Sequence, residues 1–454
     1  MDPHRTELDT TDAPAACAAQ PGPGALPTSG ATAAADADDD RDPRDAEALL
    51  RLVLCAGPAA SRRALLTRCG GSQAALDAGE AVWREAGLDA AQRAALRAPP
   101  PAEAWARGRD WLANPRHRLI GWESPDYPAL LRRIDAPPLA LFVAGDADLL
   151  WHPGVAVVGS RGPSAGGMDN AAAFARALAR AGLCVVSGLA AGIDRAAHEA
   201  ALTVAPGRTV AVLGTGPDVP YPRSHAALHA RVCATGAVVS EHPPGTGPLR
   251  SHFPSRNRII AGLALGTLVV EAAARSGALI TARLAAEAGR EVLALPGSIH
   301  NPLARGCHRL IRDGAALVES PEEVIEALGP CAQALAAELR ARLCDAGRIP
   351  AAPDLHEARS APRFAARRRR EPAPPSHQPS PTHLSPDHQN LWSALGHDPT
   401  DMDGLVLRTG LTAAALSSML LAMELQGHVV VAHGRYTRRT PPSPSAPEGA
   451  SQGT

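Results

Sequence analysis

Lysine is absent from this 454-residue chain, so all 45 positions counted as Lys or Arg are arginine. Every side-chain cation other than a histidinium is therefore a planar guanidinium, able to grip phosphate with two N–H groups and to stack on a base. Acids number 46, and with a net charge of −1 no global pull toward a polyanion exists; a basic surface has to be local. Aromatic residues make up only 3%, while Gly (41) and Pro (43) are abundant, so part of the chain is expected to be linker rather than core. The eight cysteines form no CxxC pair and no regular spacing, which argues against a disulfide framework or a zinc site and for a reduced, cytoplasmic compartment. No basic start followed by an apolar run opens the chain, and no stretch of about 18 apolar residues occurs, so neither a signal peptide nor a membrane span is expected.

What is present divides by composition. Residues 1–44, rich in Ala, Pro, Gly and Asp, read as disordered. Residues 45–100 carry short helical segments broken at Gly70-Gly71 and Gly87, a small helical module of SAM or helix-hairpin-helix type. Within 104–328, short valine-rich runs at 155–158, 183–186, 210–213, 238–240, 268–270 and 292–295 alternate with helical segments, and 139–145 supplies a further strand. Unalternated apolar runs separated by helices predict an α/β, Rossmann-like, doubly wound and mostly parallel sheet. Residues 329–383 read as a Pro/Ala/Arg-rich linker, 441–454 as a disordered tail. Residues 384–440 give three helices, the third capped by Thr412 after Gly410, then a hairpin at His433-Gly434, which is the grammar of a winged helix.

Three segments carry chemistry. The first strand of the repeat ends in Gly159-Ser160-Arg161, with Ser164 beyond, at the sheet edge where ligands bind. The loop is neither GxGxxG nor GxxxxGK[ST], which removes the dinucleotide and ATP fingerprints. Arg161 suits a phosphodiester; equally, it is compatible with a solvated loop residue. The second strand ends in Ser187-Gly188 and opens a helix bearing Asp194 and His198, four apart; they could bind a metal, but a helix-surface hydrogen bond is the commoner reading of such a pair and no third ligand is evident. Phe253, Arg256, Asn257 and Arg258 lie within six residues and combine phosphate binders with a stacking ring, which fits single-stranded better than duplex nucleic acid. The alternative is Phe253 in the core and the arginines in ion pairs. Glu271 followed by Ser276-Gly277 reads as architectural.

Taken together, VAVVGSR, VVSGLAAGIDRAAHEAAL, TVAVLGTGPDVPYP, SHFPSRNRIIAGL, LVVEAAARSGALITARLAAEAGREVLALPGS and GCHRLIRDGA resemble, in order, the motifs of the bacterial DNA-processing protein A (DprA/Smf) family over about residues 104–325. The resemblance implies no catalysis and no cofactor. It implies single-stranded DNA held by the loop at Gly159–Arg161 and the segment Phe253–Arg258, a homodimer formed near Leu310-Ile311, and help in loading the recombinase RecA during natural transformation and recombination. Ser164-Ala165-Gly166 departs from the family's usual aromatic before glycine, and Ser224-His225 replaces a usual asparagine. Two other readings compete. A LOG-type nucleoside-monophosphate phosphoribohydrolase would place its acid at Glu271, but the PGG that precedes GTxxE in that group is missing before Gly266-Thr267. A duplex-binding regulator would read DNA with the helix from Thr412 to about Gln426, which has no arginine.

Overall fold

The structure, a computed structural model, describes residues 43–344 and 385–438. The expectations for 1–42, 345–383 and 441–454 lie outside the described residues.

Nine strands form one sheet: β1 (His117–Gly121), β2 (Ala140–Gly145), β3 (Gly154–Val158), β4 (Cys184–Ser187), β5 (Thr209–Val212), β6 (Ala237–Ser240), β7 (Gly266–Val269), β8 (Glu291–Ala294) and β9 (Ala316–Leu317). Their order is β1-β2-β6-β5-β4-β3-β7-β8-β9. All pairings from β6 to β9 are parallel, whereas β2 runs antiparallel to both β6 and β1. Successive residues of β3 point into different cores: Ala156 and Val158 meet the helix His252–Leu263, Val155 and Val157 meet the helices Ala165–Arg180 and Ile193–Ala201. A strand with apolar neighbours on both faces takes an apolar residue at every position, which is why these runs do not alternate. The chain leaves β3 toward β4 on one side and returns as β7 on the other. That reversal is the topological switch point, where the loops beyond the carboxyl ends of adjacent strands diverge and leave a crevice.

Two elements differ from expectation. β1 and β9 were not anticipated. The predicted linker from 329 begins too early, because the helix Pro321–Cys344 runs through its first sixteen residues, Pro330 included. Val324, Leu328 and Leu335 recur at helical spacing and pack against the sheet, and that burial overrides the Ala-rich, Pro-containing composition.

The N-terminal module is a cluster of helices around Leu49, Leu52, Leu65, Leu66, Trp83 and Leu96, completed by Leu139 and Ala140 of the sheet's antiparallel edge. Buried Arg62 donates to the carbonyls of Leu52, Val53 and Gly57, satisfying the end of the helix Pro43–Leu54. The C-terminal domain has helices Pro386–Leu395, Met402–Thr409 and Ala413–Leu425, each with a side-chain cap (Ser385, Asp401, Thr412), then the antiparallel strands β10 (Val429–Ala432) and β11 (Arg435–Arg438). His433 and Gly434 turn between them with φ of 52° and 76°, as a tight two-residue hairpin requires. This is the winged helix read from the sequence.

Candidate nucleic-acid interface

A cleft of about 560 Å³ opens at the switch point. Gly159, Ser160, Arg161 and Gly162, just after β3, form one wall; Phe253, Pro254, Arg256 and Asn257 form the opposite wall; Arg275, Ser276 and Gly277, after β7, close the end. Two segments nearly a hundred residues apart thus meet at one rim. Gly159 is forced, since a Cβ there would lie 2.6 Å from Ile193 Cγ1. Gly192 is forced twice over: its φ is +80°, and a Cβ would lie 2.3 Å from the Ser160 carbonyl. These contacts clamp the Gly159–Gly162 loop against the start of the helix Ile193–Ala201.

The arginines of the two walls have different status. Arg161 is exposed and makes no ion pair among the described residues. Arg256 is only 4% exposed, and its Nη1 donates to the carbonyls of Gly188 (2.7 Å) and Val212 (2.6 Å). The guanidinium lies across Gly188, where a Cβ would fall 2.0 Å from Nη1, so any side chain there would push the guanidinium from its seat. Burial lowers the Arg256 pKa to about 10, Asp194 offsets part of that, and Arg161 adds to the depression. The group remains a cation at neutral pH. Asp194, itself buried, accepts from Gly188 N–H (3.1 Å); burial pushes its carboxyl up, against the pull of Arg256. Arg256 is thus a buried strut joining the ends of β4 and β5 to the helix His252–Leu263, with one edge bordering the cleft.

Three further candidates turn inward. Arg258 pairs with Glu241. The Ser187 hydroxyl donates to the Val157 carbonyl at 2.7 Å and is fully buried. Ser164 caps the helix Ala165–Arg180 by accepting from Gly167 N–H at 3.0 Å, while its hydroxyl (2.6 Å) and N–H (2.9 Å) both donate to Glu271. Asn301 donates to the same carboxylate at 2.9 Å. Glu271 therefore ties the β3 loop to the β7 and β8 loops, and its oxygens are committed to that task. Asp194 and His198, weighed as a metal pair, are held separately: Thr209 donates to the Val185 carbonyl, so its oxygen accepts from His198 Nδ1–H at 2.7 Å. Burial lowers the His198 pKa to about 3. Among the described residues no group of three or more His, Cys, Asp or Glu is arranged to hold a metal ion.

One cleft residue and one neighbour of its wall escaped the sequence reading. Arg275 precedes the Ser276-Gly277 turn that opens the helix Ala278–Glu287; the turn was noted, and a guanidinium beside an anion-favouring turn was the available signal. Tyr221, 41% exposed, packs its ring 5.0 Å from that of Phe253. It lies 32 positions upstream, and nothing local in the sequence links the two. No single described helix is long and apolar enough to cross a membrane.

Comparison with known proteins agrees with this architecture. Residues 118–329 match the family described as DNA recombination-mediator protein A, and residues 372–435 match the DprA winged helix domain. The chain is 40% identical over 329 residues to Protein Smf of Escherichia coli (strain K12), covering 72% of this chain and 79% of that one. It is 50% identical over 199 residues to DNA processing protein DprA of Streptococcus pneumoniae, covering 44% of this chain and 70% of the relative. The crystal structure of S. pneumoniae DprA superposes with a TM-score of 0.55 at 37% identity, covering 61% of this chain and 95% of that one. With a parallel sheet of this order, a winged helix after it and relatives at this level of identity, the chain belongs to the DprA/Smf family.

Proposed function

We propose that the switch-point cleft binds single-stranded DNA, without catalysis, and that the bound strand is passed to the recombinase RecA by a homodimer of this chain. The observation that carries the binding role is the pairing, across one cleft, of a solvent-facing guanidinium at Arg161 with an aromatic edge at Phe253, above the buried cation of Arg256. Arg161 and the loop N–H groups of Gly159 and Ser160 contact phosphate, Phe253 stacks on a base, and Asn257 reaches the floor. Ser164, Ser187, Gly188, Arg256 and Arg258 shape the site from behind. A cleft of about 560 Å³ suits one or two unstacked nucleotides; a base can enter only when freed from its partner strand. The RecA and dimer steps rest on kinship with proteins named for DNA processing and recombination mediation.

Neither competing reading gains support. The Glu271 carboxylate needed by a phosphoribohydrolase is buried and holds Ser164 and Asn301. In the winged helix, Ala413–Leu425 bears no cation, and Arg438 of the wing stacks 4.7 Å over the Trp392 ring and donates to the Trp392 carbonyl. The test is a titration of labelled oligothymidine and of a duplex of equal length, at two salt concentrations, with wild type and Arg161→Ala. Wild type should prefer the single strand. Arg161→Ala should weaken it about tenfold, with the log–log salt slope reduced by about 0.7 for the lost phosphate contact. Equal affinity of the two proteins would place the strand elsewhere.

A further inference from the structure

The winged helix is not merely tethered to the core; it sits against the rim of the cleft. Arg408, on the helix Met402–Thr409, reaches across to Asp169 on the helix Ala165–Arg180, with Nη2 2.6 Å from Oδ2. The Asp398 carboxylate lies 2.9 Å from the position a Cβ on Gly166 would take. His397 lies near enough to Glu271, the residue that holds Ser164, to feel its charge against the depression that burial and Arg438 impose. The first two contacts fall on the first turns of the helix that directly follows the Gly159–Gly162 wall, and Glu271 holds the Ser164 that caps it. The start of that helix is already capped, with Ser164 accepting from Gly167 N–H and the Glu271 carboxylate seated against Gly167, so Asp398 brings a second negative charge to it.

We infer that the winged helix is an intramolecular latch: its Asp398 carboxylate lies against Gly166 beside the cleft, where it repels an incoming phosphate, and the Arg408–Asp169 pair holds it there. The inference rests on the cleft being the single-strand site. Gly166 and Gly167 are the seats that make it possible. The first lacks a side chain where Asp398 enters; the second lacks one where Glu271 would lie 2.4 Å from a Cβ. The latch is built to release. A gap of about 200 Å³ opens at the contact, lined on the core side by Gly166 alone and on the winged-helix side by residues that include Leu395, Asp398, Asp401, Arg408 and Arg435. Asp169 is 60% exposed, so the pair is open to screening by salt. A strand reaching the rim brings phosphates that the Asp398 carboxylate repels, so the docked winged helix and the bound strand oppose one another.

The full-length chain carries the test. Arg408→Asp replaces the attraction to Asp169 by repulsion while making the protein more negative, so general electrostatics predicts weaker DNA binding and the latch predicts tighter. At low salt the variant should bind oligothymidine about three- to tenfold more tightly than wild type, the factor by which the open population rises. The double swap Asp169→Arg with Arg408→Asp restores the pair with reversed polarity and should return affinity to within about twofold of wild type. Because Arg408 also donates to the Ala394 carbonyl and the Thr400 hydroxyl inside its own domain, Asp398→Asn is measured alongside and should bind more tightly too. Unchanged or weaker binding by both single variants overturns the latch. Hydrogen exchange at residues 164–170, without DNA, reports docking independently and should quicken in Arg408→Asp. If exchange quickens but no form binds oligothymidine, the single-strand assignment has failed and the latch has no ligand to gate; if binding is normal but exchange is unchanged, the docking itself is wrong.

Discussion

The two walls of the cleft each contribute an arginine, and the two residues do opposite things. Arg161 projects from a loop clamped by glycine contacts at Gly159 and Gly192 and keeps its guanidinium in water. Arg256 projects from the first turns of a helix whose far end lies in the core, so its guanidinium is carried under the sheet edge, where Asp194 and the carbonyls of Gly188 and Val212 receive it. A cation in water is available to a ligand; a cation with several buried acceptors is a structural part that a ligand senses only as a field. Counting arginines at a rim therefore overstates the number of phosphate contacts, and each has to be weighed by what it already holds.

The comparison breaks most sharply at Arg256. Removing it leaves Asp194 buried without its cation, and Arg256→Ala should cost about 3–5 kcal/mol of stability, read as a large fall in melting temperature. A melting temperature equal to wild type would move Arg256 into the class of Arg161. A half-buried acid, Glu123, on which Arg132 acts only weakly against desolvation, extends the contrast. Desolvation raises the pKa of Glu123 to about 7, and one of its carboxylate oxygens has no hydrogen-bond partner among the described residues. Native Glu123 holds its proton to higher pH than the unfolded chain does, so stability falls as pH rises from about 4.5 to about 7 and is flat above. Glu123→Gln should thus stabilise by about 2–3 kcal/mol at pH 8 and by almost nothing at pH 4. Equal effects at both pH values would remove the charge from the explanation. Next in size, Phe253→Ala should weaken oligothymidine binding by about 1–3 kcal/mol, the worth of one stacked base. Tyr221 would then stand alone at that wall. The smallest effect is the one most diagnostic of Arg161: its alanine variant, about tenfold weaker for DNA, should melt with wild type. A destabilised Arg161→Ala protein would erase the distinction between the walls.

Much of this fold was legible because it is written in burial. β3 to β8 were readable as valine-rich runs since both faces are covered, and Thr412, Gly410 and His433-Gly434 marked the winged helix because caps and turns impose local chemistry. β1 was missed because His117, Arg118 and Leu119 are only half-buried at an edge, and β9 because two residues carry no period. The helix Pro321–Cys344 hid behind a linker-like composition, its buried stripe being only a few residues in a run of alanine and glutamate. At the site, the segments were identified but not the roles. The text SRNR does not reveal that Arg256 faces Gly188 whereas Arg258 faces Glu241, since helical phase relative to a neighbouring sheet is a tertiary fact. Arg275 enters the cleft, and Tyr221 meets Phe253, from other loops for the same reason.

The antiparallel pair β1–β2 has one more consequence. The sheet ends there, and the helical module lies along that end, with Leu139 and Ala140 shared between the two and Gly121 too close to Leu49 Cδ2 to admit a Cβ. A bare strand border is a template on which another chain can hydrogen-bond. The module is therefore a selvedge that keeps the sheet from unravelling into its neighbours, and a chain trimmed to begin at Pro115 should precipitate in proportion to its concentration even though every residue of the cleft is intact.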